Sequence, residues 1–181
     1  MARGYQLGGH RGDFDPKSRD KRLSTIASTA LLVQQTRSPV IAAGGIMDEA
    51  GISAVLKLAA VAAQLGTAFL GCFESAASEE YRQSLLTSKG TEMVSIISGR
   101  PARTLLNRGT ETTLRLETQG ILPPDHPTAY DAGKRLHAAA MERGRTRFRC
   151  PMDWSGCGMA RSLPAQELMQ VLAGELLSVL P

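Results

Sequence analysis

Apolar and polar positions divide the chain into helix-like and strand-like stretches. From Leu23 to Arg37, Leu23, Ile26, Ala27, Ala30, Leu31 and Gln34 fall on one stripe at helical spacing, and Ser38-Pro39 ends the run. Pro39-Val40-Ile41-Ala42-Ala43-Gly44-Gly45 is a short apolar run closed by two glycines, as in a strand buried in a parallel sheet. Asp48 stands where a helix N-cap is needed, and the helix it opens is expected to bury Ile52, Val55, Leu56 and Ala59. A second apolar run, Ala62 to Leu70, is interrupted by Gly66-Thr67. Residues 23–70 therefore read helix, strand, helix, strand, the pacing of βαβ units.

After Phe73 the pattern changes. Ser75 to Ser88 reads as a helix with Ala76, Tyr81 and Leu85 as packing positions. Gly120 to Pro127 is proline-rich and reads as a linker or turn, and His137 to Arg149 as a basic helix end. Leu163 to Leu180, with Pro164 near its first turn, reads as an amphipathic helix. The expected organisation is an α/β segment over 1–74 followed by a helical C-terminal region over 75–181.

Composition narrows the function classes. Hydrophobic residues at 43% and charged residues at 21% describe a soluble globular chain, and 4% aromatics leave Ala, Leu, Ile and Val to build the core. The net charge of +4 is spread along the chain without a basic stripe carrying interleaved aromatics, so no nucleic-acid partner is expected. Cys72, Cys150 and Cys157 are few and odd in number, which fits a reducing cytoplasm, and the Cys150/Cys157 spacing is not that of a zinc site. Met1 to His10 lacks the apolar run of a signal peptide, and Leu58 to Cys72 is too short and too interrupted to span a bilayer. A cytoplasmic location without metal or membrane partner is expected. The 181 residues fall short of the roughly 250 of a complete (β/α)8 barrel.

Three clusters carry candidate chemistry. Gly44-Gly45 and Gly66-Thr67 each follow a predicted strand, where backbone without Cβ approaches a phosphate closely and Thr67 adds a hydroxyl donor; the same glycines equally serve tight turns. Gly8-Gly9-His10-Arg11-Gly12 sets a histidine on a glycine loop, either as a proton acceptor or as a surface residue; His126 and His137 read as structural or solvated. Ser98-Gly99-Arg100-Pro101-Ala102-Arg103 offers either an anion site or surface ion pairs, and Trp154-Ser155-Gly156-Cys157-Gly158 either a pocket lid or a Trp-anchored loop.

Taken in order, Gly4 to Gly12, Pro39 to Ile46, Gln64 to Leu70 and Ser98 to Arg103 resemble the nitronate monooxygenases, formerly 2-nitropropane dioxygenases, from about residue 3 to the C-terminus. The resemblance implies a flavin-binding barrel fold. This chain would supply an incomplete TIM (β/α)8 barrel: the end of strand six, strands seven and eight, and a helical C-terminal region. It implies FMN as cofactor, with Gly8, Gly45, Gln64, Leu65, Gly66 and Thr67 as contacts, and His10 as the active-site histidine. The implied reaction oxidises an alkyl nitronate with O2 to a carbonyl compound and nitrite. His10 would act as base toward a neutral nitroalkane, or orient the anionic nitronate in its cationic form. Arg3 and Cys157 depart from the family, where glutamine is usual at both places. Strands one to five have no counterpart, so the expectation is a weakly active or inactive chain by itself, or one that associates with another chain to complete the barrel. A flavin-type enoyl reductase and an inert fragment are the alternatives.

Overall fold

The computed structural model describes residues 1–10, 21–88, 90–95, 99–144 and 157–179. In chain order its elements are β1 (Ala2–Arg3), β2 (Gly9–His10), α1 (Thr25–Gln35), β3 (Ile41–Ala43), α2 (Glu49–Lys57), β4 (Ala62–Gln64) and α3 (Thr67–Leu70). There follow α4 (Glu79–Thr87), β5 (Thr91–Val94), β6 (Ala102–Leu105), α5 (Arg108–Thr118), α6 (Thr128–Glu142) and α7 (Ala165–Val179). They form two units: residues 1–7, 21–87 and 154–181 make the first, and 8–20 with 88–153 the second. These units interleave in sequence, a division of another kind from the linear one at 74/75.

The first unit is built on a parallel sheet of order β1-β3-β4. Its register sets Ala2 opposite Ala42 and Ala42 opposite Ala63. Ala2, Ala42 and Ala43 are buried, small side chains that let α1 and α2 lie close to the strands. Asp48 caps α2 by accepting from the Gly51 N–H at 2.9 Å. Val55 of α2 packs with Ala42, Ile46 and Ala60, and Leu168 and Leu172 of α7 pack with Met47, Ala68 and Cys72. Leu85 of α4 is fully buried.

Helix α1 forms where the periodicity places it, but buries another face. Ile26 and Leu31 are 47% and 39% exposed, while Thr25 and Thr29 are buried. The reason is polar: the Thr25 hydroxyl donates to the Gly44 carbonyl at 2.6 Å, which turns the threonine side of α1 toward the sheet. Ala59, expected in the buried face of α2, lies past the helix end, exposed, with φ 65°.

The second unit corrects the expectation of a helical C-terminal region. Strands β2, β6 and β5 form an antiparallel sheet in that order, with His10 opposite Ala102, and Met93 and Gly9 both opposite Arg103. Thr91, Val94 and Thr104 are β-branched and suit a pleated surface. All four residues of β6 are buried, and Arg103 is tolerated there because Nη1 donates to the Thr91 hydroxyl at 3.0 Å. Helix α5 packs on β5 and opens with a capping box in which Asn107 accepts from the Gly109 and Thr110 N–H groups.

Candidate active site

In the first unit, strand register fixes where the chain leaves the sheet. Arg3 pairs with Ala43 and Ala43 with Gln64, so Gly4, Gly44 and Leu65 emerge side by side at the C-terminal edge. That edge is where ligands bind in parallel α/β folds. Gly44 and Gly45 take φ 115° and 70°, a region that favours glycine. A Cβ on Gly44 would lie 3.0 Å from the Leu7 nitrogen, and one on Gly45 3.0 Å from the Gln6 Cβ. Thr25 ties the turn down: its N–H donates to Gln6 Oε1 at 2.9 Å while its hydroxyl holds Gly44. Gly44 thus has a turn-forming role in its own right. Gly45 and Gln64 are exposed at the edge.

One strand over, Leu65 and Gly66 lead into α3. The Gly66 carbonyl accepts from the Phe69 N–H at 2.9 Å, while the first N–H groups of a helix have no intrahelical acceptor. Thr67 is 1% exposed and its hydroxyl has no hydrogen-bond partner among the described residues. A buried unpaired hydroxyl costs free energy unless something supplies a partner. The structure therefore brings Gly45, Gln64, Leu65, Gly66 and Thr67 to one edge of the first unit. Gly8, buried, belongs to the second.

In the second unit, His10 ends β2 amid a ring cluster. Its centroid lies 5.4 Å from that of His126 and 6.1 Å from that of Tyr130, both edge-on. His126 and Tyr130 are 5.7 Å apart, and Lys134 Nζ sits 4.1 Å from the Tyr130 centroid on the same helix. Gly99 makes this possible: at φ 73° it has the backbone of residues 124–126 pressed against the place a Cβ would take. The His10 imidazole is held below its ordinary pKa of 6.5, first by burial, then by the charge of His126 and of Arg100. An imidazole held proton-free can accept a proton, and the Arg100 cation beside it favours an anion.

Sequence reasoning singled out His10 and not the rings packed around it. His126 is not a bystander but stands against His10, and Tyr130 and Lys134 escaped notice. Tyr130 and Lys134, four residues apart, share one face of α6, and His126 stands in the turn that leads into it. Arg11, Gly12, Ser98, Cys150 and Trp154 to Gly156 lie outside the described residues. Cys157 begins a 3-10 turn, and His137 falls within α6. The Cys72 thiol is buried and pushed up by burial and by Glu74, which leaves it a packing residue. Among the described residues no group of three or more His, Cys, Asp or Glu could hold a metal ion, and no helix is long and apolar enough to cross a membrane.

Parallel strands ending in glycine turns and a helix start, together with solved neighbours that are TIM-barrel enzymes, put the chain in the α/β class. The family follows from sequence: the nitronate monooxygenase model matches residues 1–175, and the chain belongs to that family of oxidoreductases. It is 49% identical to the nitronate monooxygenase of Paraburkholderia phytofirmans, covering 97% of this chain and 48% of that one. It is 43% identical to that of Pseudomonas aeruginosa, covering 97% and 50%. A nitroalkane oxidase from Streptomyces ansochromogenes superposes with a TM-score of 0.86 at 36% identity, over 97% of this chain and 50% of that one. FabK from Thermotoga maritima shares the fold, with a TM-score of 0.74 at 22% identity over 97% and 53%. The chain thus spans about half the length of the curated relatives it matches.

Proposed function

We propose that the chain carries the phosphate-binding edge and the proton-handling histidine of an FMN-dependent nitronate monooxygenase, which turns an alkyl nitronate and O2 into a carbonyl compound and nitrite. One observation carries this reading: two glycine-bearing turns emerge from paired parallel strands, and beside them Thr67 keeps a buried hydroxyl without a partner. Gly45, Gln64, Leu65, Gly66 and Thr67 would hold the flavin phosphate and its neighbourhood, with Gly8 as a further contact. Bound flavin supplies the electron transfer between nitronate and O2. The chain's own share is position and charge. His10 receives a proton from a neutral nitroalkane or orients the nitronate, and Arg100 contributes positive charge beside it.

The chain would also need a complement. Strand β4 is an outer strand of β1-β3-β4. Beside it lies an apolar groove of about 420 Å³ lined by Ile52, Leu56, Val61, Leu65, Phe69 and Met169 among others. A strand and helix from the other half of a barrel fit such an edge, since parallel strands are normally paired and covered on both sides.

The test is FMN titration of the purified chain, followed by nitrite release from propionate 3-nitronate. Saturable FMN binding that weakens in Thr67→Val, with little turnover until the complementary half is co-expressed, is the expected result. Absence of saturable binding in both preparations overturns the reading. NAD(P)H consumption with an enoyl thioester, and none of nitronate, would assign the chain to the reductases instead.

A further inference from the structure

We propose that His126 is a positioning residue for His10: set edge-on against it from the turn before α6, it keeps His10 in the proton-free form that accepts a proton from substrate. The inference rests on the reading of His10 as the group that faces the nitro compound.

The two ring centroids are 5.4 Å apart, close enough that a positive charge on the His126 ring opposes one on His10. The turn that carries His126 is fixed by contact of its backbone with Gly99, so the pair does not relax by simple withdrawal. The surrounding groups act in the same sense. Arg100, in the loop before β6, adds a permanent positive charge that opposes protonation of His10. Tyr130 covers the ring from α6, with Lys134 on Tyr130 and Asp131 at 3.9 Å from Lys134. Asp125 precedes His126 in the same turn, and Arg103 of β6 donates to Thr91 of β5. Burial is the largest cause of the lowered proton affinity of His10, and His126 the next.

The consequence is a wider pH range for proton abstraction. A proton-free His10 takes the proton of the C–H bond next to the nitro group. That bond breaks, the proton passes to an imidazole nitrogen, and the electron pair spreads onto the nitro oxygens to give the nitronate; no electron leaves the substrate in this step. With His126 in place His10 stays free to accept that proton to lower pH than an ordinary imidazole.

The experiment is an NMR titration of the His10 imidazole in the full chain, labelled at histidine and assigned by loss of its signal in His10→Gln. His126→Phe keeps a ring and removes the charge; His126→Lys removes the ring and keeps a charge. The expected result is an upward shift of the His10 midpoint in His126→Phe and a midpoint that stays low in His126→Lys. A midpoint unmoved in His126→Phe, or raised only in His126→Lys, overturns the proposal, because burial by the ring and not charge would then be the cause. His126→Gln repeats the neutral substitution should the phenylalanine variant not fold. No flavin enters this titration, so failure to bind FMN and failure of the histidine pair are told apart.

Discussion

Thr25→Val tests the clamp that holds the first glycine turn. Thr25 is 5% exposed, and its hydroxyl donates to the Gly44 carbonyl at 2.6 Å. Valine keeps the branched shape and the χ1 restriction, so neither a cavity nor a change of helix stiffness contributes much. What changes is that a buried carbonyl loses its donor, an effect of about 1–3 kcal/mol. The chain contains its own control. Thr29, one helical turn on, is fully buried and its hydroxyl has no partner among the described residues. Replacing an unpaired buried hydroxyl by a methyl removes a cost, so Thr29→Val is expected to be neutral or stabilising. Urea unfolding followed by far-UV circular dichroism, at one protein concentration and with comparable m values, reads both variants. Thr25→Val is expected to unfold at lower urea, and Thr29→Val at the same or higher urea than the wild type. Equal losses in the two variants, or none in Thr25→Val, would refute the claim that the hydroxyl and not the packed methyl fixes the turn. A loosened turn should also weaken FMN binding beyond what stability explains.

Other outcomes follow from the same geometry. Thr67→Val removes the second unpaired buried hydroxyl, so stability is expected to hold or rise by up to about 1 kcal/mol; a loss of stability would show that the hydroxyl has a structural partner. Gly99→Ala must place a Cβ against the 124–126 backbone at φ 73°. The cost is expected to exceed the ~1–2 kcal/mol of a left-handed alanine, with loss of the ring-current shifts between His10 and His126, read by urea unfolding and proton NMR. Stability is expected to depend on pH through His10. Its folded pKa lies below 6.5, so the unfolded chain takes up the proton first, and stability falls as pH drops below 6.5 towards the folded value. Urea midpoints in His10→Gln should fall less steeply over that range, and identical slopes would exclude His10 as the cause.

The residues themselves determined the local pieces. The apolar run ending at Gly44-Gly45, the Asp48 cap and Pro164 ahead of α7 each act within a few residues of where they stand, so strand β3 and helices α2 and α7 are legible from the chain alone. Gly45 and Gly66-Thr67 could be brought together on paper because βαβ pacing places successive strand ends on one edge. Pairings between distant segments were not legible. Strand β6 joins β2 across most of the chain, and that pairing, not local preference, turns a segment read as helical into sheet. Helix α1 shows the same limit: its apolar stripe pointed to Ile26 and Leu31, yet one hydroxyl-to-carbonyl bond from Thr25 chose the other face. His10 was named from its glycine loop, but His126 and Tyr130 meet it only in the folded chain, and burial together with His126 and Arg100 lowers its proton affinity there. Periodicity and caps are short-range and written in the order of residues. Which face is buried, and which charges face one another, is decided by contacts that exist only when the chain is folded.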